Sequence, residues 1–211
     1  MGFLPNKSTS KKGRMKMFSK ILVSLSVTFI LIFPMHSYAQ SRLSEGIEKG
    51  EPATKLEQFL SKKGRLYVKD FYNAGKVTGQ YEKYISVEAL IVYEPEKEVE
   101  KIRGLKIEVY EGGPTEKSGS SFLDIEGVES LSRALEYMIS LINKFKDSNR
   151  EYTEVIFSTK GEFKVGFYQK NDEFKAFCSS GLIRQSTCFL PVDSLPNLKS
   201  VIDKGLSLAK K

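Results

Sequence analysis

Apolar residues recur with a period of two in the first half of the chain. Ile85, Val87, Ala89, Ile91 and Tyr93 share one face, and Leu105, Ile107 and Val109 alternate with Lys106, Glu108 and Tyr110. That period belongs to strands, and one apolar face opposite a polar one predicts an antiparallel sheet buried on one side. A short run rich in strand formers at 66–71 predicts a strand before these two, and 121–125 one after them. The acidic connection 94–100 is expected as a solvated hairpin tip, because its oxygens lack the glycine-turned spacing of a calcium loop. From about 126 to 146 the period changes: Val128, Leu131, Leu135, Met138, Ile142 and Phe145 recur every three or four residues and draw one apolar stripe along a helix. Asp124 and Glu126 set negative charge at its start, where the helix end is partly positive, so the cluster Asp124, Glu126 and Glu129 is expected to cap and solvate. Leu56, Phe59 and Leu60 have helical spacing too, predicting a short amphipathic helix over 54–63 that Gly64 ends.

The second half repeats this order. Strands are predicted at 152–158, 163–169, 174–179 and 187–190, with turns at Lys160-Gly161 and Asn171-Asp172. A helix follows over 194–210, with Leu195, Leu198, Val201, Ile202 and Leu206 inward and Pro196 in the first turn, where a missing amide proton costs little. Placing Phe122 on Phe189 sets Leu123 on Leu190, Leu131 on Leu198, Ser140 on Ser207 and Leu141 on Leu208. Duplication would produce this match, and so would independent convergence on a strand, an acidic cap and a striped helix. The expected fold class is α+β: a single domain over 54–211 made of two pseudo-repeated ββββα units, at about 54–147 and 148–211, with helices packed on the apolar faces of antiparallel sheets. Four antiparallel strands and a helix resemble the order in whirly-type single-strand DNA-binding proteins. The resemblance is one of topology, so it assigns no role to any residue.

The start of the chain reads differently. Five basic residues between Lys11 and Lys20 precede an apolar run from 21 to 35, and Ser37 and Ala39 place small side chains before a cut between Ala39 and Gln40. This is the order of a cleaved secretory signal peptide over 1–39, with translation starting at Met1, Met15 or Met17. The run is shorter than the ~20 residues a spanning helix needs, so no membrane span is expected after cleavage. Residues 40–53 are polar and aperiodic and read as a flexible leading segment. Cleavage takes six of the 33 basic residues and none of the 26 acidic ones, so the net charge falls from +7 to +1. It also removes His36, the only histidine.

Those two losses narrow the chemistry. Without imidazole, Ser-His-Asp and Cys-His nucleophiles and histidine-bearing zinc sites are excluded. The Ser207/Lys210 spacing at the chain end is read as chance. No G-x-G-x-x-G or P-loop occurs, so no cofactor is expected and no catalytic or metal residue is assigned. Cys178 and Cys188, ten positions apart, are expected to form a disulfide that closes a hairpin in an oxidising compartment. Between them Leu182, Ile183 and Arg184 form a candidate partner contact at the hairpin tip.

The resulting expectation is a periplasmic or secreted, non-catalytic binding protein whose partner is an envelope or extracellular protein, peptide or glycan. The alternatives are a carboxylate-based hydrolase and, if the chain is not exported, a single-strand nucleic-acid binder. The binder would use Tyr110, Tyr168 and Phe177 beside Lys106, Lys164 and Lys175.

Overall fold

The computed structural model describes residues 53–112, 117–148, 150–181 and 185–211. The leader 1–39 with its cut between Ala39 and Gln40, the segment 40–52, and Leu182, Ile183 and Arg184 lie outside the described residues.

Each half contains the four strands and the helix that its periodicity implies. The first half comprises α1 (Lys55–Ser61), β1 (Val68–Thr78), β2 (Tyr84–Tyr93), β3 (Ile102–Tyr110), β4 (Ser118–Asp124) and α2 (Ile125–Phe145). The second comprises β5 (Arg150–Ser158), β6 (Lys164–Asn171), β7 (Glu173–Ser180), β8 (Ser186–Leu190) and α3 (Leu195–Ala209). Two four-stranded antiparallel sheets result, ordered β1-β2-β3-β4 and β5-β6-β7-β8, each followed by a helix. The fold is α+β with two ββββα units. Among the described residues no helix is long and apolar enough to cross a membrane.

β1 runs seven residues past the expected end at Phe71. A bulge between Asn73 and Gly75 breaks the alternation there, so period counting stops where pairing with β2 continues. Gly75 adopts φ 152°, and a Cβ on it would stand 3.2 Å from Val201 of α3, so the bulge also lets that helix approach.

The last described helix crosses to the other half, and α2 packs against both. α3, which follows the second sheet, lies on the inner face of the first: Val201 meets Gly75, and Gly205 fits against Leu105 and Val87. Arg103 of β3 donates to the Ala209 carbonyl at its end. α2, which follows the first sheet, brings Phe145 to 6.2 Å from Phe167 of β6, ring centre to ring centre. Ser132 of α2 donates to Asp203 of α3 at 2.5 Å, and Lys210 reaches Glu129 at 2.7 Å. The two halves thereby share one core that includes Val87, Leu105, Leu131, Phe167, Cys178 and Ile202. The buried Ser121 and Ser180 hydroxyls, 2.7 Å apart, tie β4 to β7.

A second, smaller core lies outside the first sheet. α1 seats Leu56 and Phe59 on Leu90 and Val92, with Ile102 and Phe122 at the margin. Gly104 forms the socket, because a Cβ there would come within 2.7 Å of the Leu56 side chain. Thr54 and Glu57 close a capping box at the start of α1.

Candidate functional site

The carboxylates at the start of α2 are already engaged. Asp124 occupies the N-cap position of its own helix but makes no side-chain cap there. It accepts instead from the Lys55 N–H at 2.8 Å and the Leu56 N–H at 3.2 Å, capping α1 across the fold. This corrects the sequence expectation: β4 delivers Asp124 to α1, whose first amides are unsatisfied. Glu126 pairs with Lys55 at 3.1 Å, and its own backbone N–H, then Lys55, hold its carboxyl below the usual range. Glu129 pairs with Lys210, which leaves the Ser207/Lys210 spacing without a role. A cleft of about 560 Å³ opens beside these groups, lined also by Phe157, Thr159 and Lys160. Its carboxylates are committed to the fold. The 94–100 connection is an exposed turn in which Glu94 faces Arg65 at 2.5 Å. Among the described residues no three His, Cys, Asp or Glu side chains are grouped to hold a metal ion.

Cys178 and Cys188 stand directly opposite one another on β7 and β8, so the hairpin expected between them is present. The expected bond is not: both are buried free thiols on the inner face of the sheet. Directly opposed positions hold Cβ atoms roughly 4.5–5.5 Å apart, wider than the ~3.8 Å of a disulfide, and strand pairing closes the hairpin without the bond. Burial pushes the Cys188 thiol up to about 11, against a small opposing pull from Lys83, and drives the Cys178 thiol upward as well.

The outer faces of the two sheets divide the aromatic and basic residues between them. On the first, Tyr84 and Tyr110 stack at 4.7 Å and the Lys76 ammonium lies 3.5 Å above the Tyr84 ring. Lys106 sits between Glu108 at 2.9 Å and Glu88 at 3.5 Å. Burial alone would lower its pKa, but Glu108 and then Glu88 outweigh burial and raise it.

On the second sheet strand pairing aligns Ile156, Gly166, Phe177 and Phe189 in one row across all four strands. Gly166 is required where it stands, because a Cβ there would fall 2.6 Å from the Val155 carbonyl oxygen and 2.8 Å from the Phe177 ring. Ile156 is 50% exposed and Phe189 39%. Tyr152 and Tyr168 stack at 6.1 Å beside this row. Partial desolvation, then the Glu154 carboxylate, raise the Tyr152 phenol above its usual value. Gln185 donates to the Ser179 hydroxyl at 2.8 Å, and with Thr187 they wall a shallow depression of about 380 Å³.

Tyr168, Phe177 and Lys164 from the sequence reading thus meet on the second sheet, whereas Tyr110 and Lys106 belong to the first. Ile156, Phe189 and Tyr152 were not singled out by sequence. The signal was there in Val155-Ile156-Phe157 and Cys188-Phe189-Leu190, strands apolar on both faces where a half-exposed strand should alternate. Comparison with protein-family models, with curated proteins and with solved structures returns no match, so the geometry of this face carries the functional argument alone.

Proposed function

We propose that the protein is an exported, non-catalytic binding module that engages an envelope or extracellular partner through the outer face of its second sheet. The observation that carries this reading is the bare row Ile156, Phe177 and Phe189, apolar side chains in contact with solvent on a rigid sheet. Such a patch gains free energy when a partner covers it, by about 25 cal/mol for each Å² of apolar surface removed from water. The secretory leader and the near-neutral charge that remains after cleavage support export and weigh against a phosphate backbone as partner. The engaged state of Asp124, Glu126 and Glu129 weighs against a pair of working carboxylates.

A photo-crosslinking residue placed at position 189 in the natively expressed chain, with a control at the exposed Tyr137 of α2, tests this. A discrete adduct from position 189 alone, on a protein beginning at Gln40 and recovered outside the cytosol, is expected. Equal labelling from both positions, or a full-length cytosolic protein, would reject the reading.

A further inference from the structure

We infer that the partner presents a short amphipathic helix with two apolar side chains one turn apart and carboxylates on its flanks; the inference rests on the reading of the second sheet's outer face as the binding surface. Two independent observations carry it.

The first is the charge on the face. Lys164 lies two residues from Gly166 on β6, and Lys175 two residues from Phe177 on β7, so the two ammonium groups bracket the apolar row on opposite sides. Neither makes an ion pair with a described residue, in contrast to Lys106 on the first sheet, which is held by two carboxylates of its own chain. Glu154, the acid among the residues that line the depression, acts on the neighbouring Tyr152 phenol and makes no ion pair with a described residue. An apolar strip between two unpaired cations is complementary to an apolar stripe flanked by carboxylates, and a neutral or basic stripe would leave those cations uncompensated.

The second is how this fold covers apolar side chains on the outer face of its other sheet. One end of the first sheet's outer face is covered by α1, a helix of seven residues that seats Leu56 and Phe59 on Leu90 and Val92, beside the row of Glu88 and Lys106. Seven helical residues span about 10 Å, and four strands about 14 Å, so one such helix suits one such face. Nothing among the described residues plays that part on the second sheet, where the chain before β5 is the end of α2, committed to the inner face. Pro191 follows β8 where Asp124 ends β4, so the second sheet also lacks the carboxylate that caps α1. A helix docking there brings its own cap.

The test pans a displayed library of helical peptides of about 16 residues, some 24 Å of helix, on the full-length protein. The Ile156→Ser/Phe189→Ser double variant serves for counter-selection, and every variant is first checked for an unchanged thermal unfolding transition. Enriched peptides are expected to share apolar residues at i and i+3 or i+4 with an excess of Asp and Glu. Their affinity is expected to fall about tenfold or more in the double variant, as for a truncated anchor, and about threefold in Lys164→Glu/Lys175→Glu, as for rim charges. Peptides that need Ile156 and Phe189 but are neutral or basic overturn the acidic helix and leave the face as a binding surface. Absence of any peptide that depends on this face, or binding of a thymidine 20-mer to it, overturns both.

Discussion

The two sheets share one topology and one core, yet their outer faces are built to opposite ends. Counting along the strand pairs from β4 and β8 places Asn73, Glu88, Lys106 and Phe122 on the first sheet where Ile156, Gly166, Phe177 and Phe189 stand on the second. The first row is charged at its centre and self-compensated, and α1 covers what is apolar beside it. The second is apolar throughout, and among the described residues no helix covers it. On the first sheet a glycine socket receives a side chain from a helix, Leu56 over Gly104; on the second the socket at Gly166 is filled by its own neighbour, Phe177. Identical backbone order therefore does not set the role of a face. The side chains of one row do.

Leu56→Ala should break this comparison most strongly. It empties a fully buried site under α1 and is expected to cost about 2–5 kcal/mol in urea unfolding. Next in size is a pH effect on the inner face, where the Cys178–Cys188 pair occupies the place that Ile107 and Ser121 hold in the first sheet. The Cys188 thiol is raised from 9.0 to about 11 in the folded protein. Above pH 9 the unfolded chain loses that proton first, so stability is full below pH 9 and declines as pH rises toward 11. In the reduced protein the share of the decline due to Cys188 should approach 2–3 kcal/mol, roughly two pKa units, and Cys188→Ala should remove that share while the buried Cys178 keeps its own. Asp124→Ala leaves the Thr54–Glu57 capping box but frees the Lys55 and Leu56 amides of α1, and should cost about 1–2 kcal/mol, with faster amide exchange across 55–60 as the sharper readout. Ile156→Ser on the bare face should change unfolding by less than about 0.5 kcal/mol. A large loss there would mean that the face is covered in the free protein.

These expected effects also mark how far the sequence could be read. Period two, period 3.6 and runs of strand formers pointed to the eight strands and three helices described, because each buries one face, α1 in the smaller core and the others in the common one. The extension of β1 was hidden, since the bulge at Asn73–Gly75 shifts the alternation and looks like a strand end. The crossing of α3 to the first sheet was not legible either: an apolar stripe such as Leu195, Leu198 and Ile202 fits any apolar sheet, and only three-dimensional shape selects between two of them. Cysteine spacing revealed a hairpin and not a bond, because separation along the chain does not fix the distance between Cβ atoms. The binding row was readable in part. Phe177 and Lys164 lie on recognisable strands, but the register that joins them to Ile156 and Phe189 is set by turns and bulges that pattern counting does not resolve.

The position of α3 on the first sheet also has a consequence in time. A polypeptide is made from its N-terminus, and α3 follows the eight described strands, so the inner surface of β1, β2 and β3 stays open until 195–209 have been added. Closing it joins Gly75 to Val201, a contact between residues far apart along the chain that slows folding through the entropy of the loop it closes. A molecule wired in this way cannot finish its first half first; that half is completed only by residues 195–209.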